Sequence, residues 1–176
     1  GASVTLVLGP THYPLELNGL NVVRVVSAKE MLTTMQDYYP SSVLTICTAA
    51  VSDFVPKTTA DKKLKKTSMK GTMSIDLEET PDILATLGKA KSIDQKLVGF
   101  ALETNDGVGY AKEKLVKKNA DAIVLNTLSS STGFESNTNA VDVFYKDGAQ
   151  ESFPLVDKSI LGQQLLNALL NKFEWV

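Results

Sequence analysis

The sequence predicts a three-layer, Rossmann-like α/β domain with a mostly parallel sheet, an added antiparallel hairpin and a lysine-rich arm. Short hydrophobic runs alternate with amphipathic segments, which is typical of strands connected by helices. Near the carboxyl end, Asp147-Gly148 separates two strand-like runs and so indicates a hairpin. Residues 58–70 are polar and dense in lysine. We expect residues 1–176 to form a single domain, because no linker or internal repeat divides them.

The size and composition of the chain fit a soluble enzyme or binding domain. Its 176 residues can bury a useful core, and its 43% hydrophobic and 22% charged residues are ordinary proportions. A net charge of -2 gives no argument for a nucleic-acid or membrane partner. Cys47 is the only cysteine, so neither an intramolecular disulfide nor a multi-cysteine metal site can form. We expect a cytoplasmic protein.

Strands and helices alternate in the first part of the chain. The hydrophobic runs that predict strands are residues 4–8, 22–26 and 43–46. Before the third run, Ser27 and Glu30 form a capping box that begins a helix. That helix is predicted to end at about Tyr39, because Pro40 cannot continue its hydrogen bonding.

The third hydrophobic run is typical of a central strand that leads into a ligand site. It is followed by small residues and then a carboxylate: Cys47, Thr48, Ala49, Ala50 and Asp53. Small side chains let a ligand approach the backbone, and open α/β sheets bind ligands beyond the carboxyl ends of their strands. We therefore expect residues 42–56 to form one side of a binding site.

The lysine-rich arm follows directly. Most lysine runs are solvated surface, but a charged segment beside a ligand edge can also close over an anionic ligand, and the residues leave both explanations open. Alternating apolar residues then predict a short additional strand over residues 69–77.

A helix is predicted to start at Thr80, with Thr80 as N-cap and Pro81 and Asp82 in its first turn. The free amides of such a helix start can bind an anion. The later predicted elements are a strand at residues 96–101, a helix at about residues 110–119, a strand at residues 122–125, a hairpin of residues 141–145 and 152–156, and a helix capped by Asp157.

Lys114 and Lys118 lie on one face of the helix predicted for residues 110–119, about 40° apart at 100° per residue. An exposed basic face and a phosphate contact both fit this spacing.

Several familiar catalytic sites are missing from the sequence. It has no phosphate-binding loop of the Gly-x-x-x-x-Gly-Lys type and no Gly-x-Ser-x-Gly elbow, and Gly107-Val108-Gly109 lacks the third glycine of a dinucleotide fingerprint. With a single histidine, His12, a catalytic triad is hard to build. Strand ends rich in small residues, an acid, lysines and a helix start remain, and they suit a phosphorylated ligand or nucleotide.

A series of motifs occurs in an order typical of one known family. They are Ala49-Ala50-Val51-Ser52-Asp53-Phe54, Lys63-Leu64-Lys65-Lys66, Thr80-Pro81-Asp82-Ile83-Leu84, Val98-Gly99-Phe100-Ala101-Leu102-Glu103-Thr104, Lys114, Lys118-Asn119-Ala120-Asp121, Asn126 and Gly133-Phe134-Glu135-Ser136-Asn137-Thr138-Asn139. The chain therefore resembles phosphopantothenate–cysteine ligase over nearly its whole length.

This resemblance implies a step of coenzyme A synthesis. The family activates the carboxylate of 4′-phosphopantothenate with CTP and Mg²⁺, and the amine of cysteine then displaces CMP from the acyl-cytidylate. The motifs are similar to the bacterial, CTP-using type rather than the ATP-using eukaryotic type. In bacteria this domain is commonly fused to a flavin-dependent phosphopantothenoylcysteine decarboxylase and forms a homodimer, and no flavin is expected in the ligase domain itself.

The resemblance also implies site residues. The nucleotide-binding set is Cys47, Thr48, Ala49, Asp53, Lys63, Pro81, Asp82, Ile83, Leu84, Phe100, Lys114 and Lys118. Within it, Lys63 matches an arm lysine that helps the acyl-cytidylate react, and Phe100 matches a residue that packs on the nucleotide. Substrate or interface contacts are implied for Ala50, Asn126 and Phe134, and no metal ligands are implied.

The resemblance is incomplete at the start of the chain. The family opens with a further strand, a Gly-Pro-Thr loop, an Asn-containing segment and a helix, and none of these precedes Gly1. We therefore expect a domain that lacks its N-terminal strand–loop–helix, folds and binds CTP, but is a poor ligase alone. Two alternatives stay open: a non-catalytic binding or interaction module with the same fold, and a dinucleotide-binding, reductase-like domain.

Overall fold

The computed structural model describes residues 1–12, 18–65, 72–103, 107–127 and 137–175. The elements are β1 (Thr5–Leu8), β2 (Asn21–Arg24), α1 (Ala28–Tyr38), a 3-10 turn (Tyr39–Ser41), β3 (Leu44–Cys47), β4 (Phe54–Pro56), β5 (Leu77–Glu79), α2 (Ile83–Ala90), β6 (Lys96–Glu103), α3 (Gly107–Lys117), β7 (Ala122–Thr127), β8 (Thr138–Tyr145), β9 (Gln150–Asp157) and α4 (Lys158–Lys172). The chain divides into two compact units, one of Gly1–Tyr38 and Ala49–Ile83 and the other of Tyr39–Thr48 and Leu84–Val176.

The first unit begins with a parallel pair, β1 and β2, followed by α1. The predicted capping box is confirmed, since the Glu30 amide donates to Ser27 Oγ at 3.2 Å. The Glu30 carboxylate accepts from the amide of Val26 at 2.8 Å, one residue before the predicted partner.

The rest of the first unit is a two-stranded antiparallel ribbon of β4 and β5. The prediction of a strand over residues 69–77 is wrong for residues 72–76, which have no regular structure. Strand β5 begins only at Leu77. The Lys57 amide, one residue beyond Pro56, still donates to the Asp76 carbonyl at 3.0 Å, so Pro56 does not interrupt the hydrogen bonding of the ribbon.

The predicted N-cap at Thr80 is also wrong. Its Oγ1 is buried with no hydrogen-bond partner among the described residues, while its amide donates to the Asp53 carbonyl at 2.9 Å. The residue therefore ends the ribbon, and α2 starts later, at Ile83.

The second unit is built on one five-stranded sheet in the described residues, with strand order β3-β6-β7-β8-β9. The first three strands run parallel, and β8 and β9 form the predicted antiparallel hairpin, in which Gly148 has a φ of 90°. The predicted α/β class with parallel strands and an added hairpin is confirmed.

Helices cover both faces of this sheet, because alternate residues of each strand point to opposite sides. On one face Leu161, Leu165 and Leu169 of α4 pack against Val98 and Val124. On the other, the position where a Cβ would stand on Gly99 lies 2.6 Å from Leu84 Cδ2, so this glycine lets α2 sit directly on β6. The predicted cap of α4 is confirmed, since Asp157 accepts from the Ser159 amide at 2.8 Å.

The strand expected to be central, β3, is at the edge of the five-stranded sheet. In the described part of that sheet it pairs on one side only, with β6. This leaves Val43 64% and Ile46 38% exposed, so the hydrophobic run did not indicate a fully buried strand. Among the described residues, the structure contains no helix of the length and apolarity that a bilayer crossing requires.

Candidate functional site

The carboxyl ends of three parallel strands meet at one edge of the second unit. Cys47, the last residue of β3, is in register with Gly99 on β6, and Leu102 on β6 is in register with Asn126 on β7. The sheet thus brings together predicted site residues that are far apart in sequence. We call this region, which includes Cys47, Leu102 and Asn126, the carboxyl edge.

Lys114 of α3 belongs to the same region. Its half-buried side chain extends to the sheet, where Nζ donates to the Phe100 carbonyl at 2.8 Å. The lysine therefore does not belong to a fully exposed basic face, which was one of the two sequence interpretations. It places a positive charge beside the strand ends, as binding of an anionic ligand there requires.

The thiol of Cys47 is a poor nucleophile here. Burial raises its pKa to about 11, and the nearby Lys114 charge only partly opposes that rise. The thiol is consequently neutral at physiological pH, whereas a reactive cysteine needs a stabilised thiolate. Any ligand contact at this position is best made by the backbone.

Asn126 contributes an unsatisfied acceptor to the carboxyl edge. Its Oδ1 is buried and has no hydrogen-bond partner among the described residues. A buried polar atom without a partner costs about 1–3 kcal/mol of stability, so such atoms are uncommon away from ligand sites. The atom is suited to accept from a donor on a bound molecule.

Phe100, Ile83 and Leu84 pack in the interior of the fold, wholly or in part. The half-buried ring of Phe100 packs against the core cluster that includes Val98 and Leu165. Ile83 and Leu84 are each 9% exposed. These two aliphatic residues therefore present little surface to a ligand.

The remaining predicted residues lie in the first unit or outside the described ranges. Those in the first unit are exposed, apart from the buried Ile83: Ala49, Ala50, Asp53, Lys63, Pro81 and Asp82. Thr48 is exposed just after β3 in the second unit. Phe134 lies outside the described residues, so its predicted contact stays a prediction.

Sequence reasoning missed the structural role of the segment that follows α3. Lys118 is the C-cap of this helix and Asn119 adopts a left-handed conformation with a φ of 48°, so the helix ends two residues earlier than predicted. Asp121 accepts from both Lys91 Nζ, at 2.6 Å, and the Leu97 amide, at 2.8 Å. An asparagine directly after a helix was the available signal, because asparagine tolerates this conformation.

Tyr39 is a second residue that sequence reasoning did not single out. Its side chain is 4% exposed, and its hydroxyl has no partner among the described residues. Burial, helped by the charges of Asp121 and Cys47, raises its pKa to about 12. The hydroxyl therefore stays protonated throughout the physiological range.

No group of three or more His, Cys, Asp or Glu side chains in the described ranges could hold a metal ion. The described residues therefore do not fit a metal cage made by the protein alone.

A family model for the DNA/pantothenate metabolism flavoprotein C-terminal domain matches residues 1–173. A cysteine/cysteine sulfinic acid decarboxylase from an unknown prokaryotic organism is 42% identical over 171 residues, which cover 97% of this chain and 47% of that protein. The coenzyme A biosynthesis bifunctional protein CoaBC of Vibrio cholerae is 39% identical over 170 residues, 96% of this chain and 42% of that protein. The chain thus spans less than half the length of these curated relatives.

Solved structures show the same architecture. The C-terminal domain of a CoaBC protein superposes with a TM-score of 0.80 and 35% identity, covering all of this chain and 77% of that chain. A Cab2 variant in complex with phosphopantothenate-cysteine has a TM-score of 0.63 at 17% identity, which is a likeness of fold alone; the match covers 88% of this chain and 54% of that one. With the family model matched over nearly its whole length, this chain belongs to the family of DNA/pantothenate metabolism flavoprotein C-terminal domains.

Proposed function

We propose that the chain carries the phosphopantothenate–cysteine ligase activity of a coenzyme A biosynthesis protein, with CTP as the activating nucleotide. The observation that supports this best is the match over 96% of the chain to a CoaBC protein. The carboxyl edge agrees with it, since Lys114 supplies a cation and Asn126 an unsatisfied acceptor at the strand ends. The cytoplasmic location predicted from the sequence is part of this proposal.

The reaction has two steps. In the first, a carboxylate oxygen of 4′-phosphopantothenate attacks the α-phosphorus of CTP, which forms the acyl-cytidylate and releases pyrophosphate. In the second, the amine of cysteine attacks the acyl carbon, loses a proton and displaces CMP. Because the charge of the transferring group is high, catalysis rests on positioning and on cations that neutralise phosphate oxygens.

The residues of the carboxyl edge and the two lysines of the α3 segment have roles in this scheme. Lys114 and Lys118 contact the phosphates of the nucleotide, and the backbone after Cys47 approaches its sugar and base. Phosphate oxygens cannot donate, so the buried Oδ1 of Asn126 accepts instead from an amide or hydroxyl of phosphopantothenate or from the ammonium of cysteine.

Two further groups are proposed from the resemblance alone. Asp53, an exposed carboxylate before β4, binds a donor of the nucleotide, and Lys63 assists the reaction of the acyl-cytidylate with cysteine. The part of the arm beyond Lys65 and the predicted contact of Phe134 belong to this proposal, although they lie outside the described residues. Because the described residues form no metal cage, we assign no protein ligand and no step to Mg²⁺.

We also propose that the protein is a homodimer that associates through the ribbon of β4 and β5. Five large apolar side chains of this ribbon and the approach to it are exposed by 42% to 59%: Phe54, Val55, Met73, Ile75 and Leu77. An isolated two-stranded ribbon is marginally stable and its free edges invite pairing. Replacing Phe54 by Asp should shift the protein to monomer in sedimentation measurements, and an unchanged dimer would place the interface elsewhere.

The relative named as a decarboxylase does not favour decarboxylation by this chain. It is matched over 47% of its own length, and its name describes the whole protein. The CoaBC relative is bifunctional, so a fusion partner with the decarboxylase activity accommodates both names. A non-catalytic module and a dinucleotide-binding domain remain the alternatives that the experiment below must separate.

The test is thermal unfolding of the full-length protein with CTP, ATP or NAD, followed by CMP release with phosphopantothenate and cysteine. CTP at one hundred times its Kd should stabilise the protein by about 2.7 kcal/mol, ATP less and NAD not at all. Lys114→Met should abolish most of this shift, whereas Lys117→Met is a matched control because Lys117 is 66% exposed and pairs with Glu113 on the same helix. Stabilisation by NAD instead of CTP would support the dinucleotide alternative. CTP binding without CMP release would support the non-catalytic module.

A further inference from the structure

We propose that Asn119 is a positioning residue that holds Lys114 and Lys118, the two helix lysines proposed to bind the nucleotide, by fixing the end of α3. The proposal rests on the function proposed above, because it assumes that these lysines contact the nucleotide. Asn119 itself is exposed and is assigned no contact with substrate.

The end of α3 has the complete hydrogen-bond pattern of a Schellman motif. The Ala120 amide donates to the Leu115 carbonyl and the Asn119 amide to the Val116 carbonyl, both at 3.1 Å. Asn119 occupies the left-handed position, with a φ of 48°, which glycine most often fills. Glycine and asparagine both accept this conformation, and asparagine differs by adding a side chain that can form hydrogen bonds.

That side chain connects three elements. Its Nδ2 donates to the Gly88 carbonyl of α2 at 2.9 Å, and its Oδ1 accepts from Lys146 Nζ, just after β8, also at 2.9 Å. Glycine would supply the backbone conformation but neither of these bonds. Asn119 therefore ties the end of α3 to the end of α2 and to the sheet.

The contact between α2 and α3 is close enough for this tie to set the position of the lysines. A Cβ on Gly88 would lie 1.8 Å from the Lys118 carbonyl oxygen, so the two backbones touch with no side chain between them. Lys118 precedes Asn119 directly, and its amide donates to the Lys114 carbonyl at 2.9 Å, one turn earlier. A shift of this helix end would move both ammonium groups together.

The experiment replaces Asn119 by Gly in the full-length protein, which keeps the left-handed turn and removes both side-chain bonds. We expect the KM and Kd for CTP to rise roughly tenfold, as for loss of one well-placed charged contact, while the KM for cysteine stays the same. Asn119→Asp keeps the acceptor for Lys146 but loses the donor to Gly88, and should give an intermediate change.

A matched control separates positioning from general stability. Asp157→Ala removes the cap of α4 and loses stability at a site with no bond to α3. It should leave the KM for CTP unchanged when both variants are more than nine-tenths folded. An equal rise in the control would overturn the proposal, as would wild-type CTP affinity in Asn119→Gly.

A mutant cycle tests whether Asn119 acts through the two lysines. In a Lys114→Met, Lys118→Ala background, Asn119→Gly should add little further loss of CTP affinity, and a full additive loss would overturn the proposed route. The two proposals fail separately. If the wild-type protein does not bind CTP, the ligase function falls and this role falls with it; if it binds CTP and Asn119→Gly binds equally well, only this role falls.

Discussion

The two ends of β7 differ in whether their polar groups have hydrogen-bond partners. Just before the strand, Oδ2 of Asp121 accepts from both Lys91 Nζ and the Leu97 amide, and the Asp121 carbonyl accepts from the Lys146 amide. Near the other end, the Oδ1 of Asn126 is buried without a partner in the described residues. The polar groups beside the amino end of β7 are hydrogen-bonded to other parts of the fold. Near the carboxyl end, a buried acceptor has no partner in the described ranges.

If the function proposed above holds, this difference separates stability from function within a single strand. An unsatisfied buried acceptor destabilises the ligand-free protein, and a ligand that supplies the donor recovers that loss. Residues at functional sites commonly reduce stability in this way. Substitutions at the amino end of β7 should therefore change unfolding, and substitutions at the carboxyl edge should change binding.

The largest effect is expected from breaking the amino end at Asp121. Asp121→Ala leaves Lys91, whose side chain is 7% exposed, as a buried cation without its partner. Removal of one member of a buried ion pair typically costs about 3–5 kcal/mol, which urea unfolding would measure. Glu113→Gln removes an exposed pair with Lys117 and should cost no more than about 1 kcal/mol. Equal losses in the two variants would contradict the importance of burial.

The next effect is expected from Gly88. An alanine there would place its Cβ 1.8 Å from the Lys118 carbonyl oxygen and push α2 away from α3. Overpacking of this kind costs about 1–3 kcal/mol or more. Gly162 of α4 is the matched control, since nothing lies within 4 Å of its Cβ position; Gly162→Ala should stabilise by about 0.5–1 kcal/mol. Both free energies come from chemical denaturation, and a stabilised Gly88→Ala would refute the close contact.

Asn126→Leu tests the opposite end of the strand. It removes the unpaired acceptor at similar size, so stability should stay level or rise by about 1 kcal/mol, while affinity for phosphopantothenate or cysteine falls. Denaturation and isothermal titration together measure the two quantities. A clear loss of stability with unchanged binding would show that Oδ1 is structural and would remove the contrast between the two ends.

The smallest effect is a pH dependence at the amino end. A hydrogen bond from Lys172 lowers the pKa of the exposed Asp147 from its ordinary value of 3.8, helped by the Ala149 amide. A lowered folded-state pKa stabilises the protein above the unfolded-state value, and this contribution is lost as the pH falls below 3.8 through the folded-state pKa. In Lys172→Met, NMR titration should show the carboxyl pKa return towards its ordinary value. An unchanged pKa would mean that the lysine does not cause the shift.

Local chemistry explains what could be predicted from the sequence. The capping box of Ser27 and Glu30, the cap by Asp157 and the turn at Gly148 depend on residues within a few positions, and the structure confirms all three. The sequence of α3 also places Ala111 and Leu115 four residues apart, hence on one face, and the structure buries both, at 0% and 8% exposure. Such patterns carry the order of strands and helices and the class of the fold.

Expectations that depended on distant neighbours were less secure. The hydrophobic run of β3 could not show that this strand pairs on one side only in the five-stranded sheet, and the alternation over residues 69–77 could not show where its partner strand ends. A strand pattern reports that one face can be buried, whereas position in a sheet is decided by which other strands are available to pair.

The sequence by itself determined most of the elements, the family and the residue types suited to a phosphorylated ligand. Only the tertiary structure decided which of those residues form hydrogen bonds that stabilise the fold. Lys114 reaches a carbonyl of β6, Asn119 joins two helices to the sheet, and Asn126 has an oxygen without a partner among the described residues. The physical reason is that a polar side chain is structural or available according to whether partners from distant segments meet its hydrogen-bonding groups, and sequence spacing contains no such distances.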